Sequence, residues 1–183
     1  MQLLVFLGLR PELKVKVLGI DCGSEITGYG VVEQFDHNHL RCLAAGAIRL
    51  SSREPLAARL AKVFQELNEI IAQHQPTEVA IEDVFYAANV KSALKLGHVR
   101  GVAMLAASSA HLVVAEYAPL AIKSAVVGYG RAEKSQIQAM VTHLLHLKTV
   151  PEPPDVADAL AIAICHLHTA ATLARQHAAS RHS

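Results

Sequence analysis

The chain has 183 residues, of which 52% are hydrophobic and 4% aromatic, so it can form one domain with a core built largely from aliphatic side chains. Its formal net charge of +1 excludes a uniformly basic nucleic-acid-binding protein, and any such surface has to come from local clustering. Its three cysteines are far apart and lack CxxC spacing, which argues against a disulfide framework or a zinc site and fits a reducing cytoplasm.

The chain begins with an apolar run at residues 3–9, which is too short to span a bilayer. No Lys or Arg precedes this run and no small-residue cleavage site follows it, so we expect neither a membrane segment nor a signal peptide. A polar break at residues 10–12 separates it from the rest of the chain. We therefore expect residues 1–14 to be an N-terminal extension outside the fold, and one domain to occupy residues 15–175.

Apolar runs bounded by turn residues predict five strands, and the first three are joined by short turns into an antiparallel meander. The predicted strands are residues 15–20, 28–34, 40–50, 78–84 and 112–117. Apolar residues at helical spacing predict five helices, the first of which starts with a capping-box pattern, Ser51 three residues before Glu54. The predicted helices are residues 54–74, 89–109, 119–127, 133–147 and 155–175, followed by a frayed tail at 176–183. This order indicates an α/β fold with a mixed five-stranded sheet flanked by helices.

Two acidic residues interrupt otherwise apolar strands: Asp21 ends the first strand and Glu82 lies in the fourth. A carboxylate at the end of a buried strand costs free energy unless a cation or hydrogen bonds compensate it. Asp83 points to the opposite sheet face from Glu82, because successive side chains of a strand alternate, and we interpret it as a solvated acid. Only Glu82 is therefore expected to share a site with Asp21.

A second pair of acids, Asp155 and Asp158, opens the last predicted helix and shares one face of it, because the two residues are three apart. Asp155 also suits the N-cap position, and Asp158 suits the positive end of the helix dipole. Converging carboxylates are typical ligands of Mg²⁺ or Mn²⁺, and two such ions can hold the attacking and leaving oxygens of a phosphodiester displacement. The four acids therefore predict a metal site, and Asp155 is either a ligand or mainly a helix cap.

Positive charge is concentrated in residues 89–134, where six basic residues stand against two acidic ones. Such a segment favours contacts with nucleic-acid phosphates. Phe85 closely follows Glu82, and an aromatic ring beside a metal site can stack on an unpaired base, although core packing explains a single Phe equally well. The residues predicted to bind DNA are Phe85, Lys91, Lys95, Arg100, Lys123, Arg131 and Lys134.

Four motifs carry a resemblance to a known family. They are GIDCGSEITGYG (19–30), AIEDVFYAANVKSALKLGHVRGVAMLAA (80–107), EYAPLAIKSAVVGYGRAEKSQIQAMV (116–141) and PDVADALAIAICHLH (154–168). Together they resemble the RuvC family of bacterial crossover-junction endodeoxyribonucleases, over residues 15–168. The second motif and the Asp-x-x-Asp-Ala-Leu-Ala helix are highly specific, whereas the first motif alone is not.

This resemblance implies an RNase H-like fold and a homodimer that makes paired, Mg²⁺-dependent nicks in four-way (Holliday) DNA junctions during recombination and repair. It implies that Phe85 stacks on a base near the strand-exchange point, and that Lys123 and Lys134 contact DNA or the scissile phosphate. It also implies work beside a branch-migration helicase complex of the RuvA and RuvB type. The implied ligands of two Mg²⁺ ions, for which Mn²⁺ can substitute, are Asp21, Glu82, Asp155 and Asp158.

The first motif departs from the family at Cys22, where the family commonly has Pro, and we expect a slightly looser turn with Asp21 left in place. Residues 21–24 also resemble the opening of actin-like and sugar-kinase folds, which leaves an ATP-dependent phosphotransferase as an alternative. Those proteins need two such domains and a second phosphate loop, and the chain is predicted to form one domain. A junction-binding module without nuclease activity is a third possibility, against which the presence of all four acids argues.

Overall fold

The computed structural model of the protein describes residues 15–35, 39–83 and 90–180. The expected N-terminal extension at 1–14 and the predicted base-stacking residue Phe85 lie outside these ranges. None of the helices in the three described ranges combines the length and the apolar character that crossing a bilayer requires.

Five strands of the described chain form a mixed sheet in the order β3-β2-β1-β4-β5. The strands are β1 (Val15–Asp21), β2 (Ile26–Gln34), β3 (Leu40–Arg49), β4 (Glu78–Glu82) and β5 (Val113–Tyr117). Neighbouring strands are antiparallel from β3 to β1 and parallel from β1 to β5. The predicted meander and the mixed five-stranded sheet are therefore confirmed.

Helices cover both faces of this sheet. They are α1 (Leu56–His74), α2 (Val90–Ser109), α3 (Pro119–Val127), α4 (Lys134–Leu144) and α5 (Pro154–Ser180). Leu18 and Ile20 of the central strand β1 pack in the core beneath α1 and α2, whereas Val17 packs in the core beneath α3, α4 and α5. Because β1 is covered on both faces, its sequence is almost continuously apolar, and a single acid at its end stands out.

The start of α1 differs from the prediction. The helix begins at Leu56, after Pro55 in an extended conformation, and no side chain caps it. Ser51 and Glu54 therefore do not form the predicted capping box; they close a turn in which the Glu54 N–H donates to the Ser51 carbonyl at 3.1 Å. Pro55 explains the difference, because a proline disfavours the helical conformation of the residue before it.

A capping box is present instead at α4, where the Glu133 N–H donates to Oε1 of Gln136 at 2.9 Å and the Glu133 side chain accepts from the Gln136 N–H. This helix ends at Leu144, three residues before the predicted end at 147. His146 follows with φ of 51°, a left-handed conformation that a continuing helix does not allow.

The last helix is longer than predicted at its C-terminal end. α5 begins at Pro154 and continues to Ser180, so most of the predicted frayed tail is helical, and residues 181–183 lie outside the described chain. Asp155 lies within the first turn and is not the N-cap residue. A negative charge in a first turn still interacts favourably with the helix dipole, so this position leaves the Asp155 side chain available to a site.

Candidate active site

Glycines in β1 and β2 let α5 approach these strands at backbone-contact distance. A Cβ atom built on Gly19 would lie 2.1 Å from the carbonyl oxygen of Ala159, and one built on Gly28 would lie 2.0 Å from that of Asp155. Any side chain at either position would collide with the helix backbone. Gly28 pairs with Asp21 across the two strands, so this close approach brings the start of α5 beside Asp21.

The ends of the two central parallel strands bring two acids together. Ile20 of β1 pairs with Ile81 of β4, so Asp21 and Glu82 follow side by side at neighbouring strand ends. Ile81 packs beneath α1 and α2, and strand alternation therefore directs Glu82 toward the face that carries α5. Asp83, the next residue, belongs to the opposite direction and does not join Asp21.

The carboxyl groups are close enough to raise the pKa of two of them, Asp21 and Glu82. Burial raises the pKa of Asp21 from its ordinary value of 3.8 to about 7. Negative charges nearby add to this rise, in the order Asp158, Glu82 and Asp155, and the ammonium of Lys134 opposes it. Burial also raises the pKa of Glu82, again with Asp158 adding to the effect. All four acids therefore belong to one electrostatic cluster.

Two lysines partly compensate this cluster. Lys134 begins α4 and reaches α5, where its Nζ lies 2.7 Å from Oδ2 of Asp158. This hydrogen bond is the main reason why the pKa of the Lys134 ammonium is raised. Lys123 of α3 opposes the rise in the pKa of Glu82.

A cavity of about 180 Å³, large enough for several water molecules, lies among these groups. Its lining includes Glu82, Asp158, Lys123 and Lys134, together with the apolar side chains of Ile122, Ile137 and Ile162.

The donor set fits a hard divalent cation. Carboxylate oxygens are the ligands that Mg²⁺ and Mn²⁺ prefer, and a cation would relieve the repulsion that raises the pKa of Asp21. Within the described residues, no three His, Cys, Asp or Glu side chains are already arranged as ligands of one ion, and Lys134 holds Asp158. Metal binding therefore requires side-chain adjustment at these acids.

We expect Asp21 to make the metal-free protein less stable as the pH rises from about 4 to about 7. Over this interval the folded state keeps the Asp21 proton and the unfolded chain has lost it, because the folded pKa is about 7 and the ordinary pKa is 3.8. The contribution is complete at acid pH, and its loss on the way to neutral pH is on the order of 4 kcal/mol, since each unit of difference between the two pKa values is worth about 1.4 kcal/mol. Urea unfolding of the wild type and of Asp21→Asn in EDTA, from about pH 4.5 to pH 8, measures it as the difference between the two proteins.

Glu25 provides the matched control for this measurement, because it is an exposed acid four residues away. Glu25→Gln is expected to follow the wild-type pH dependence, whereas Asp21→Asn is expected to gain stability relative to the wild type toward neutral pH. Parallel pH profiles for the wild type and Asp21→Asn would contradict the proposed repulsion.

The turn after Asp21 is fixed by its neighbours. The Thr27 hydroxyl donates to the Gly23 carbonyl at 3.2 Å, and the buried Arg59 donates to the carbonyl of Ser24. These bonds restrain the turn that contains Cys22. Burial raises the pKa of the Cys22 thiol to about 12, so this cysteine stays protonated and behaves as a small packing residue.

The predicted DNA-binding residues lie in different surroundings. Arg100 is engaged by acids: its side chain is 19% exposed and forms ion pairs with Asp83 at 3.4 Å and with Glu116. It also donates to the backbone carbonyl of Glu82 at 3.3 Å, next to the acid cluster. Asp83 is thus an ion-paired acid and not simply the solvated one that we expected. Exposed positions on α2 or in the α3–α4 loop are occupied by Lys91, Lys95 and Arg131.

The sequence interpretation missed the glycines that admit α5. Gly19 and Gly28 lie inside strands, where glycine normally weakens the sheet and marks a bulge or a close approach by another backbone. Gly30 has the same role with a softer contact, since its Cβ would lie 2.5 Å from Cδ2 of Leu160. Glycines repeated within apolar strands are the signal that could have identified the helix contact.

Comparison with known proteins adds the family to this geometry. A family model described as "Crossover junction endodeoxyribonuclease RuvC" matches residues 17–166. A protein of that name from Koribacter versatilis is 68% identical, covering 90% of this chain and 99% of its own, and one from Acidobacterium capsulatum is 58% identical, covering 88% and 98%. A solved structure of T. thermophilus RuvC in complex with a Holliday junction substrate superposes with a TM-score of 0.83 at 34% identity, covering 86% of this chain and 96% of that one. The yeast mitochondrial Holliday junction resolvase Ydc2, at 14% identity and a TM-score of 0.62, shares the fold. The chain therefore belongs to the RuvC family of crossover junction endodeoxyribonucleases.

Proposed function

We propose that the protein is a structure-selective endonuclease that resolves four-way DNA junctions by paired, Mg²⁺-dependent hydrolysis of phosphodiester bonds in recombination and repair. One observation carries the proposal: the Asp21 carboxyl, buried at a strand end, is electrostatically coupled to three other acids and to Lys134. The related T. thermophilus protein, solved with a Holliday junction substrate, supports four-way junction DNA as the ligand. The proposal includes a cytoplasmic location, which the unpaired state of Cys22, Cys42 and Cys165 supports.

The acidic and the basic residues of the site have different roles in the proposed reaction. Asp21, Glu82, Asp158 and Asp155 would hold two Mg²⁺ ions, which when bound supply an activated water and Lewis-acid stabilisation of the phosphate. Lys134 and Lys123 line the same cavity as Glu82 and Asp158, where their ammonium groups can neutralise charge that develops on the phosphate oxygens. The water oxygen bonds to phosphorus as one P–O ester bond breaks, and a proton passes to the leaving oxygen. The apolar side chains around the cavity lower the local dielectric and strengthen these interactions.

A homodimer is part of the proposal, because two symmetric cuts need two sites. The exposed face of α2 offers a surface for it: Val90, Leu94 and Leu105 are 75%, 59% and 56% exposed and lie along one side of the helix. Large apolar side chains in one exposed stripe are typical of protein contact surfaces. Sedimentation velocity of the full chain tests this state.

Loading by a branch-migration complex of the RuvA and RuvB type is also proposed, and a pull-down with junction DNA and that complex tests it.

A synthetic four-way junction separates the candidate functions. We expect symmetric nicks in the junction with Mg²⁺ or Mn²⁺, no nicks with EDTA, and little cleavage of a linear duplex of the same sequence. Binding without cleavage under all metal conditions would indicate a binding module. ATP binding measured by calorimetry, together with an absence of nicking, would instead support the phosphotransferase alternative.

Phe85 carries a separate prediction within this proposal. We expect Phe85→Ala to reduce junction cleavage about tenfold, because base–aromatic stacking is worth about 1–3 kcal/mol, while the melting temperature changes little. Cleavage assays and thermal melts of the same preparation measure both effects. A large fall in melting temperature with cleavage preserved below it would assign Phe85 to the core.

A further inference from the structure

Two large apolar side chains are exposed in α3 and in the loop directly after it. Leu120, in the first turn of α3, is 64% exposed, and Tyr129, in the loop that follows α3, is 47% exposed. Exposed apolar side chains are ordinary when they are scattered, so exposure alone does not indicate a function. We name the surface formed by Leu120 and Tyr129 the ledge. Its backbone support, the hollow beside it and the charges around it indicate what it binds.

The backbone of the loop supports the ledge. Gly128 ends α3 with φ of 89°, a conformation that other residues rarely adopt, and its N–H donates to the Ser124 carbonyl at 2.9 Å. A Cβ on Gly130 would lie 2.4 Å from Cδ1 of Leu120, so the Leu120 side chain rests directly against the backbone of Gly130. Leu120 is therefore held on a defined support while it remains exposed to solvent.

The ledge continues the cavity of the acid cluster. A second hollow is lined by Ala118, Pro119, Leu120, Lys123 and Gly130. Pro119 and Lys123 also line the cavity that contains Glu82 and Asp158, so the two hollows adjoin. A strand bound at the acids therefore has a continuous path across Lys123 to Leu120.

Charge around the ledge favours a polyanion. Lys123 lines both hollows, and the exposed Arg131 follows Tyr129 by two residues. α3 begins at Pro119, and the methyl group of the preceding Ala118 cannot cap the helix. The first turn of α3 contains no acidic residue. An uncapped helix N-terminus attracts phosphate, and here it lies at the base of Leu120. The combination of apolar surface with phosphate-binding groups matches a nucleic-acid strand better than an apolar protein segment.

We propose that the ledge is a second DNA-contact surface, on which Leu120 and Tyr129 pack against the sugar and base faces of the strand leaving the active site. Lys123 and Arg131 hold the phosphates of the same nucleotides. This inference rests on the proposed function, since it needs a DNA strand at the acid cluster.

The test uses the full chain and a fluorescent four-way junction in EDTA, so that binding is measured without cleavage. The double variant Leu120→Ser with Tyr129→Ser is expected to raise the junction Kd about tenfold, in line with about 1–3 kcal/mol for each stacked base, with an unchanged melting temperature. Val113→Ser is the matched control, because Val113 is 69% exposed at the opposite end of β5, and it is expected to leave the Kd unchanged.

Substitutions that place opposite charges at position 120 identify the occupant. Leu120→Lys, which adds a positive charge that can contact phosphate, is expected to bind the junction with a steeper salt dependence than wild type and more tightly than Leu120→Glu, which is expected to bind more weakly than wild type. An unchanged Kd in the double variant, or equal losses in the double variant and Val113→Ser, would overturn the inference. Loss of self-association with DNA affinity preserved would overturn it in favour of a protein contact. Failure of the wild type to cleave junctions with Mg²⁺ would instead count against the proposed function.

Discussion

Replacing Asp21 with Asn is expected to abolish junction cleavage while leaving junction binding intact. Asp21 is the acid on which the other three act, and a neutral amide removes both a metal ligand and the charge that draws a cation into the site. Charge stabilisation by bound metal is worth several kcal/mol in the transition state, so we expect cleavage to fall about a thousandfold or more. Junction affinity in EDTA should stay equal or improve, because the substitution removes a negative charge that repels phosphate.

The experiment measures single-turnover cleavage of a labelled four-way junction beside anisotropy binding on the same preparation. Asp83→Asn is the control, because Asp83 follows Glu82 directly in the chain but pairs with Arg100, and we expect its cleavage rate to stay within a few fold of wild type. Near wild-type nicking by Asp21→Asn would rule out the metal-site proposal. Equal losses in both variants would indicate a general effect of charge at the neighbouring ends of β1 and β4.

Much of this arrangement could be predicted from residue pattern alone. Asp21 and Glu82 can be recognised because each interrupts an apolar run. A carboxylate in a strand that is buried on both faces costs free energy unless a partner compensates its charge. Strand alternation separated Glu82 from Asp83 without any coordinates. These inferences depend on neighbours in the chain, where the sequence carries the geometry directly.

Other features depend on contacts between distant segments. The ion pairs of Arg100 are one example: parallel pairing of β4 and β5 brings Asp83 and Glu116 together beside it, and sequence spacing gives no indication of this. Its contact with DNA stays a prediction. The capping box at Ser51 matched a local pattern, and Pro55 overrode it. Local rules fail where a neighbouring constraint or a tertiary contact is stronger.

Gly28→Ala is expected to be strongly destabilising, because the added methyl group would collide with the backbone of α5. The added Cβ would lie 2.0 Å from the Asp155 carbonyl oxygen and 2.4 Å from its carbon, so backbone and not a flexible side chain must move. Overpacking of this kind costs about 3 kcal/mol or more, and α5 has to shift away from β2 to relieve it. That shift moves Asp155 and Asp158 relative to Asp21, because all three meet where Gly28 admits the helix.

Gly30→Ala separates the two consequences of this crowding. It lies in the same strand, but its Cβ would meet the side chain of Leu160 first, at 2.5 Å, and a side chain can adjust more easily than a backbone. We therefore expect urea unfolding in EDTA to give a smaller loss for Gly30→Ala than for Gly28→Ala. At a temperature where both variants are folded, Gly28→Ala should also lose more cleavage activity while keeping junction affinity. Equal stability of Gly28→Ala and wild type would mean that the position of α5 does not depend on this glycine. If the cleavage activity of Gly28→Ala fell only in proportion to its folded fraction, the shift of α5 would leave the positions of the acids unchanged.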